Sequence, residues 1–185
     1  MTEGRLQRRG EVRESSVADE VGYRLEMVEG RVLPILTPTV PHQSVAHLVV
    51  QALRTSARRA RLSAHGAVLL RLGPDRLLVP DLVVARVDRL ADYVEAADTV
   101  MVGEVTRPGA DYAGTPTRIE LCAAAGIPWF LLTQPESPEH KAVSVRLFKL
   151  REGRYLEHAS AGPGQLFVTK DPFPFRLRTA DLVVF

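Results

Sequence analysis

A single cysteine, Cys122, stands among 185 residues, so no disulfide can close within the chain and a reducing cytoplasm is its natural home. Lysine is almost as scarce, present only at Lys141, Lys149 and Lys170. Nearly all the basic charge is therefore arginine, which stays protonated and cannot serve as a general base near neutral pH. Charge of either sign is close to balanced: 24 Lys plus Arg against 22 Asp plus Glu leave a formal +2. That excludes a protein that holds nucleic acid by a uniformly positive surface, so any such binding must be local. No apolar run reaches the roughly 18 residues that span a bilayer. The basic start of the chain is not followed by the apolar stretch of a secretory signal, so a soluble protein that is not exported is expected. Gly103 and Gly109 have neither the dinucleotide-binding spacing nor a following lysine, which argues against a phosphate-loop nucleotide hydrolase.

What is present is the composition of an ordinary globular protein, 45% hydrophobic and 25% charged. A domain of this length buries roughly 70% of the surface its unfolded chain exposes and needs no structural metal. Residues 1–20 are polar, with a basic run from Arg5 to Arg13, and read as a flexible arm; residues 21–185 read as one domain. From Tyr23, apolar and charged residues alternate up to a Glu29-Gly30 turn and then resume from Val32 to Leu36, a hairpin. Pro41 suits the first turn of a helix in which Val45, Leu48, Val49, Ala52 and Leu53 recur at helical spacing, with Arg54, Arg58, Arg59 and Arg61 toward its end. Strands are predicted over Ala67–Leu72, Leu77–Val84, Thr99–Val105 and Trp129–Thr133, with a helix near Thr117–Ala125 stopped by Gly126. A second hairpin follows, Val143–Leu150 with Tyr155–Ala159 about Glu152-Gly153, and then a short element over Leu177–Phe185. The order describes an α/β domain, a sheet carrying helices on its faces.

Two acids are set where burial is expected. Asp81 follows Pro80 inside Leu77-Leu78-Val79-Pro80-Asp81-Leu82-Val83-Val84, and Glu104 lies inside Val100-Met101-Val102-Gly103-Glu104-Val105. Ionised carboxylates are costly to bury without partners. A divalent cation with oxygen ligands could serve both, and its use would be hydrolysis of a phosphodiester. The alternative is a pair of strand-end acids facing solvent or arginine.

The order Pro80-Asp81, then Glu104, then a basic residue on the following helix resembles the PD-(D/E)xK nuclease superfamily. More closely, the chain resembles the bacterial Uma-two family of restriction-endonuclease-like proteins. The resemblance is carried by Leu25-Glu26-Met27-Val28-Glu29-Gly30-Arg31-Val32, by Thr37-Pro38-Thr39-Val40-Pro41-His42-Gln43, by Pro80 to Val84, by Gly103-Glu104-Val105-Thr106-Arg107-Pro108, and by Cys122 through Gly126-Ile127-Pro128 to Phe130.

It implies a restriction-endonuclease-like core, with a central mixed β-sheet flanked by helices, an N-terminal β-hairpin and a C-terminal hairpin. Asp81 and Glu104 are implied as ligands of Mg²⁺ or Mn²⁺, Glu26 as a third carboxylate and His42 as a residue near the mouth of the site. DNA is the implied partner, and many nucleases with this core work as homodimers. The family's helix lysine is Arg118 here, the superfamily's usual lysine two residues after the second acid is Thr106, and the family's serine, later aspartate and helix tyrosine are Arg107, Gly114 (with Asp111 nearby) and Cys122. Two readings follow: a metal-dependent DNA endonuclease with Arg118 as its basic member, or an inert nuclease fold that binds DNA or protein.

Overall fold

The computed structural model describes residues 23–88, 90–106, 117–136 and 141–183. The arm expected over residues 1–20 and the loop with Arg107, Asp111 and Gly114 lie outside them. The alternating segments form the expected hairpin, β1 (Tyr23–Val28) and β2 (Arg31–Leu36), with Val28 opposite Arg31. Glu29 and Gly30 both take positive φ, 53° and 73°, the backbone that a two-residue hairpin turn requires.

Helix α1 (Val40–Arg59) follows, with proline in its first turn and Arg58 and Arg59 in its last. It buries His42, Val45, Ala46, Val49, Val50, Leu53 and Ala57, one stripe at helical period. The remaining elements are β3 (Ser63–His65), β4 (Leu70–Gly73), β5 (Arg76–Leu78), β6 (Leu82–Ala85), β7 (Val94–Glu95), β8 (Thr99–Val105), α2 (Arg118–Ala124), β9 (Trp129–Pro135), β10 (Val143–Arg151), β11 (Arg154–Ala161), β12 (Leu166–Thr169) and β13 (Phe175–Arg178).

A six-stranded sheet in the order β11-β10-β9-β8-β6-β3 is mixed, because β8 and β9 run parallel while its other neighbours are antiparallel. Successive residues of its strands point to opposite faces. Met101 and Leu131 enter a core under α1 and the β12–β13 hairpin; Val102 and Phe130 enter a second core with Leu121, Cys122 and Ile127 around α2. That second core also takes Val28, Leu70 and Leu78 from a five-stranded sheet ordered β2-β1-β5-β4-β7.

Several expectations are corrected. The single strand predicted over Leu77–Val84 is two strands in two sheets, β5 and β6, broken at Val79-Pro80-Asp81. Proline has no N–H to give to a ladder, so pairing stops there and the chain changes sheets. The strand predicted from Ala67 starts at Leu70, because Ala67 has φ +50°, which no strand accommodates. The N-terminal hairpin is an edge of the five-stranded sheet. The hairpin at Glu152-Gly153 is an edge of the six-stranded one, and β12–β13 forms a further hairpin. The element expected over Leu177–Phe185 is the end of β13 and a 3-10 turn, Thr179–Leu182; residues 184–185 lie outside the described residues.

Gly103 sits opposite Leu82 in the β6–β8 ladder, and a Cβ there would lie 2.8 Å from Leu82 Cδ2 and 3.1 Å from its Cβ. Leu82 is fully buried and has nowhere to retreat. Gly103→Ala is expected to destabilise the fold by about 1–3 kcal/mol through overpacking. Urea unfolding reads this, and a midpoint equal to wild type would contradict the tight fit.

Candidate active site

The crossover at Val79-Pro80-Asp81 places Asp81 at the seam between the two sheets. The antiparallel register that sets Leu82 against Gly103, continued by one residue, sets Asp81 against Glu104. Glu26 reaches the same seam from β1, Arg118 from the first turn of α2, and His42 from the first turn of α1. Five residues distant in sequence thus meet where strands change sheets.

Asp81 and His42 are both buried, and His42 Nε2 donates to Asp81 Oδ1 at 3.0 Å. The backbone N–H of Val105 donates to Asp81 Oδ2 at 2.9 Å. Burial alone would raise the Asp81 carboxyl, but the His42 contact, the Val105 N–H and the Arg118 charge outweigh it and hold it below the usual carboxylate range. His42 Nδ1 is buried and has no partner among the described residues.

Arg118 bridges the other two acids. Its Nη1 donates to Glu104 Oε1 at 2.9 Å and to the Val79 carbonyl at 3.3 Å, and its Nη2 donates to Glu26 Oε1 at 2.7 Å. The Val79 N–H donates to the same Glu26 oxygen at 3.0 Å, and Arg24 Nε lies 3.7 Å from it. A capping box starts α2: Thr117 Oγ1 accepts from the Glu120 N–H and the Glu120 carboxylate accepts from the Thr117 N–H. A cation in the first turn of a helix opposes the helix dipole. The two carboxylates supply what that position lacks.

Glu104 carries the largest perturbation among the acids. Its side chain is only 12% exposed. Burial drives its carboxyl up to about 8; Arg118 opposes the rise, while Asp81 and Glu26 add to it. Arg118 itself is raised: the three carboxylates outweigh its own burial, so it stays charged whichever state Glu104 takes. Cys122, buried beside this cluster, has its thiol pushed up to about 12, mainly by burial, and packs as a small apolar side chain.

The donor set is carboxylate oxygen, the chemistry a hard cation takes. Among the described residues no three of His, Cys, Asp and Glu converge as a metal cluster. Asp81 and Glu104 offer two carboxylates from neighbouring segments, the number that a cation keeping several waters, such as Mg²⁺, takes from protein. Glu26 is turned to Arg118 rather than to Asp81.

Of the residues singled out from sequence, the structure joins Asp81 to His42, and Glu26 and Glu104 to Arg118. Glu26 is 5% exposed, inside the hairpin rather than on its outer face, and His42 bonds Asp81 rather than backbone. Arg24 was not singled out, although its place two residues before Glu26 on a strand puts both on one face. The Val79 carbonyl and the Val105 N–H could not be found from side-chain patterns at all.

A family model for Uma2, described as putative restriction endonuclease, matches residues 11–181. No curated protein matches. Among solved structures, the chain is similar to a crystal structure of a putative nuclease belonging to DUF820 from Anabaena variabilis, with a TM-score of 0.60 and 19% sequence identity over 85% of this chain and 88% of that one. The fold is restriction-endonuclease-like, and no helix among the described residues is long and apolar enough to cross a membrane.

Proposed function

This chain belongs to the Uma2 family of putative restriction endonucleases, and on that premise we propose that it hydrolyses DNA phosphodiester bonds with Mg²⁺ or Mn²⁺ at the Asp81–Glu104 seam. The observation that carries the reading is the convergence of two acids with a fixed guanidinium: Asp81, buried at the entry to β6, and Glu104, half-buried in the neighbouring β8, with Arg118 held 2.9 Å from Glu104. Asp81 and Glu104 would hold the cation, which when bound lowers the pKa of a coordinated water and stabilises charge on phosphoryl oxygens. His42 and the Val105 N–H keep the Asp81 carboxylate ionised and in one orientation. Arg118, fixed by Glu26 and the Val79 carbonyl, presents planar, permanent positive charge to a phosphate. It cannot give up or take a proton near neutral pH, so it acts by charge alone.

A second reading is favoured by the same guanidinium. Clamped between Glu26 and Glu104, Arg118 already supplies a positive charge to the acids, as suits an inert nuclease fold that binds DNA or protein. Supercoiled plasmid incubated with the full chain and Mg²⁺ or Mn²⁺ separates the two. Nicked circles that disappear with chelator and in Asp81→Asn are the expected result; intact plasmid under every divalent condition would leave the binding module.

A further inference from the structure

Between Gly30 and Pro74 the chain has six arginines and no acidic residue, although the whole molecule carries a net charge of only +2. Helix α1 lies entirely within that stretch. Along the edge of its buried stripe it exposes Gln43, His47, Gln51, Arg54 and Arg58, successive residues three or four apart, which align along one side of a helix. Gln51 Nε2 donates to His47 Nε2 at 2.7 Å, tying two members of the row together. No ion pair among the described residues engages Arg54 or Arg58.

The row leads to the seam. A cavity of about 290 Å³ is walled by Gln43, His47 and Arg54 of α1 on one side and by Gly66 and Asp81 on the other. Arg54, the first free cation of the row, and Asp81, a carboxylate of the proposed hydrolytic site, thus line one space.

We propose that this row of α1 is the track for one strand of duplex DNA, its phosphates held by Gln43, His47, Arg54 and Arg58 as the backbone enters the Asp81 cavity. The proposal rests on the nuclease reading above and adds where its substrate lies. Amide, imidazole and guanidinium N–H groups all suit phosphate oxygens, and α1 itself carries no acid to repel them, the nearest acids being Asp181 beside Gln43 and His47 and Asp81 in the cavity. From Gln43 to Arg58 the helix rises about 22 Å at 1.5 Å per residue, the length of about six base-pair steps at 3.4 Å along the duplex axis. Contacts to phosphate carry no base information, so binding along the track is indifferent to sequence.

The test uses the full chain carrying Glu104→Gln, so that DNA stays uncut, and measures duplex binding by fluorescence anisotropy between 50 and 200 mM salt. Each phosphate contact contributes about 0.9 to the slope of log affinity against log salt. Arg54→Ala/Arg58→Ala should lower the slope by about 2 and weaken unrelated sequences equally. Arg151→Ala/Arg154→Ala, which removes the same charge from the β10–β11 turn, should leave the slope alone. An unchanged slope in the α1 pair, an equal loss in the turn pair, or no binding by the parent overturns the track. If the track variants behave as expected but the chain with Glu104 intact cuts nothing, the hydrolytic reading falls and the track stands. If that chain cuts while the α1 pair leaves the slope unchanged, the reverse holds.

Discussion

Arg118→Met is expected to destabilise the protein by about 3–5 kcal/mol at pH 8, a large share of the 5–15 kcal/mol that holds a domain of this kind together. The guanidinium is the shared partner of Glu26, whose side chain is 2% exposed, and of Glu104, at 12%. Methionine fills a similar volume but leaves two acids near Asp81 without their common cation. Glu26 keeps the Val79 N–H and the more distant Arg24, which moderates the cost. Glu104 is already near half protonated at pH 8 and its carboxyl rises further without Arg118, so it escapes by taking a proton at both pH 8 and pH 5 and the loss should differ little between them. Arg118→Met/Glu26→Gln should recover part of the lost stability, since one stranded charge is removed with the cation. Chemical denaturation at the two pH values measures all of this. A loss below about 1 kcal/mol at pH 8 would mean that the bridge is solvated in solution and does not hold the seam.

Glu104→Gln is expected to raise stability where cleavage is lost. The folded protein, stripped of divalent ions by chelator, holds a proton on Glu104 up to about pH 8, well above the 4.5 of a free glutamate. Between those values the folded state binds more protons than the unfolded one, so stability falls as pH rises through this window. The favourable contribution is complete below the lower value and gone above the upper one. Glutamine copies the neutral acid and still offers a carbonyl oxygen to Arg118, without a charge to desolvate. The melting temperature of wild type should therefore fall between pH 6 and pH 9 by more than that of Glu104→Gln, with the variant the more stable at pH 9. Parallel curves would show that Glu104 is ionised throughout. A gain in stability on removing a catalytic group is the usual trade at sites built for reaction rather than for folding.

Part of this site was legible because two of its three acids break a local pattern. Asp81 interrupts an apolar run, and Glu104 does the same in β8. His42 is in step with the buried stripe of α1, three residues before Val45 and seven before Val49, a polar side chain where the period asks for an apolar one. The turns at Glu29-Gly30 and Glu152-Gly153 were legible from turn chemistry, and both take the positive φ that it requires. The split of Leu77–Val84 was not, because an apolar run looks the same whether it stays in one sheet or leaves for another; only Pro80 marked the break. β3 and β7, of three and two residues, are too short to show any period. Nor could local patterning show that Arg118 would reach across to Glu26, 92 residues away in sequence, since such a contact exists only once both sheets have packed.

The most direct measurement is the initial rate of plasmid nicking in saturating Mn²⁺ by wild type, Glu104→Gln and Arg118→Lys purified in one series. If Asp81, Glu104 and Arg118 form a hydrolytic site, wild type nicks, Glu104→Gln loses at least about 100-fold, the scale of removing one group that stabilises the transition state, and Arg118→Lys keeps a cation and retains partial activity. Nicking by Glu104→Gln at the wild-type rate, or none by wild type, would contradict it.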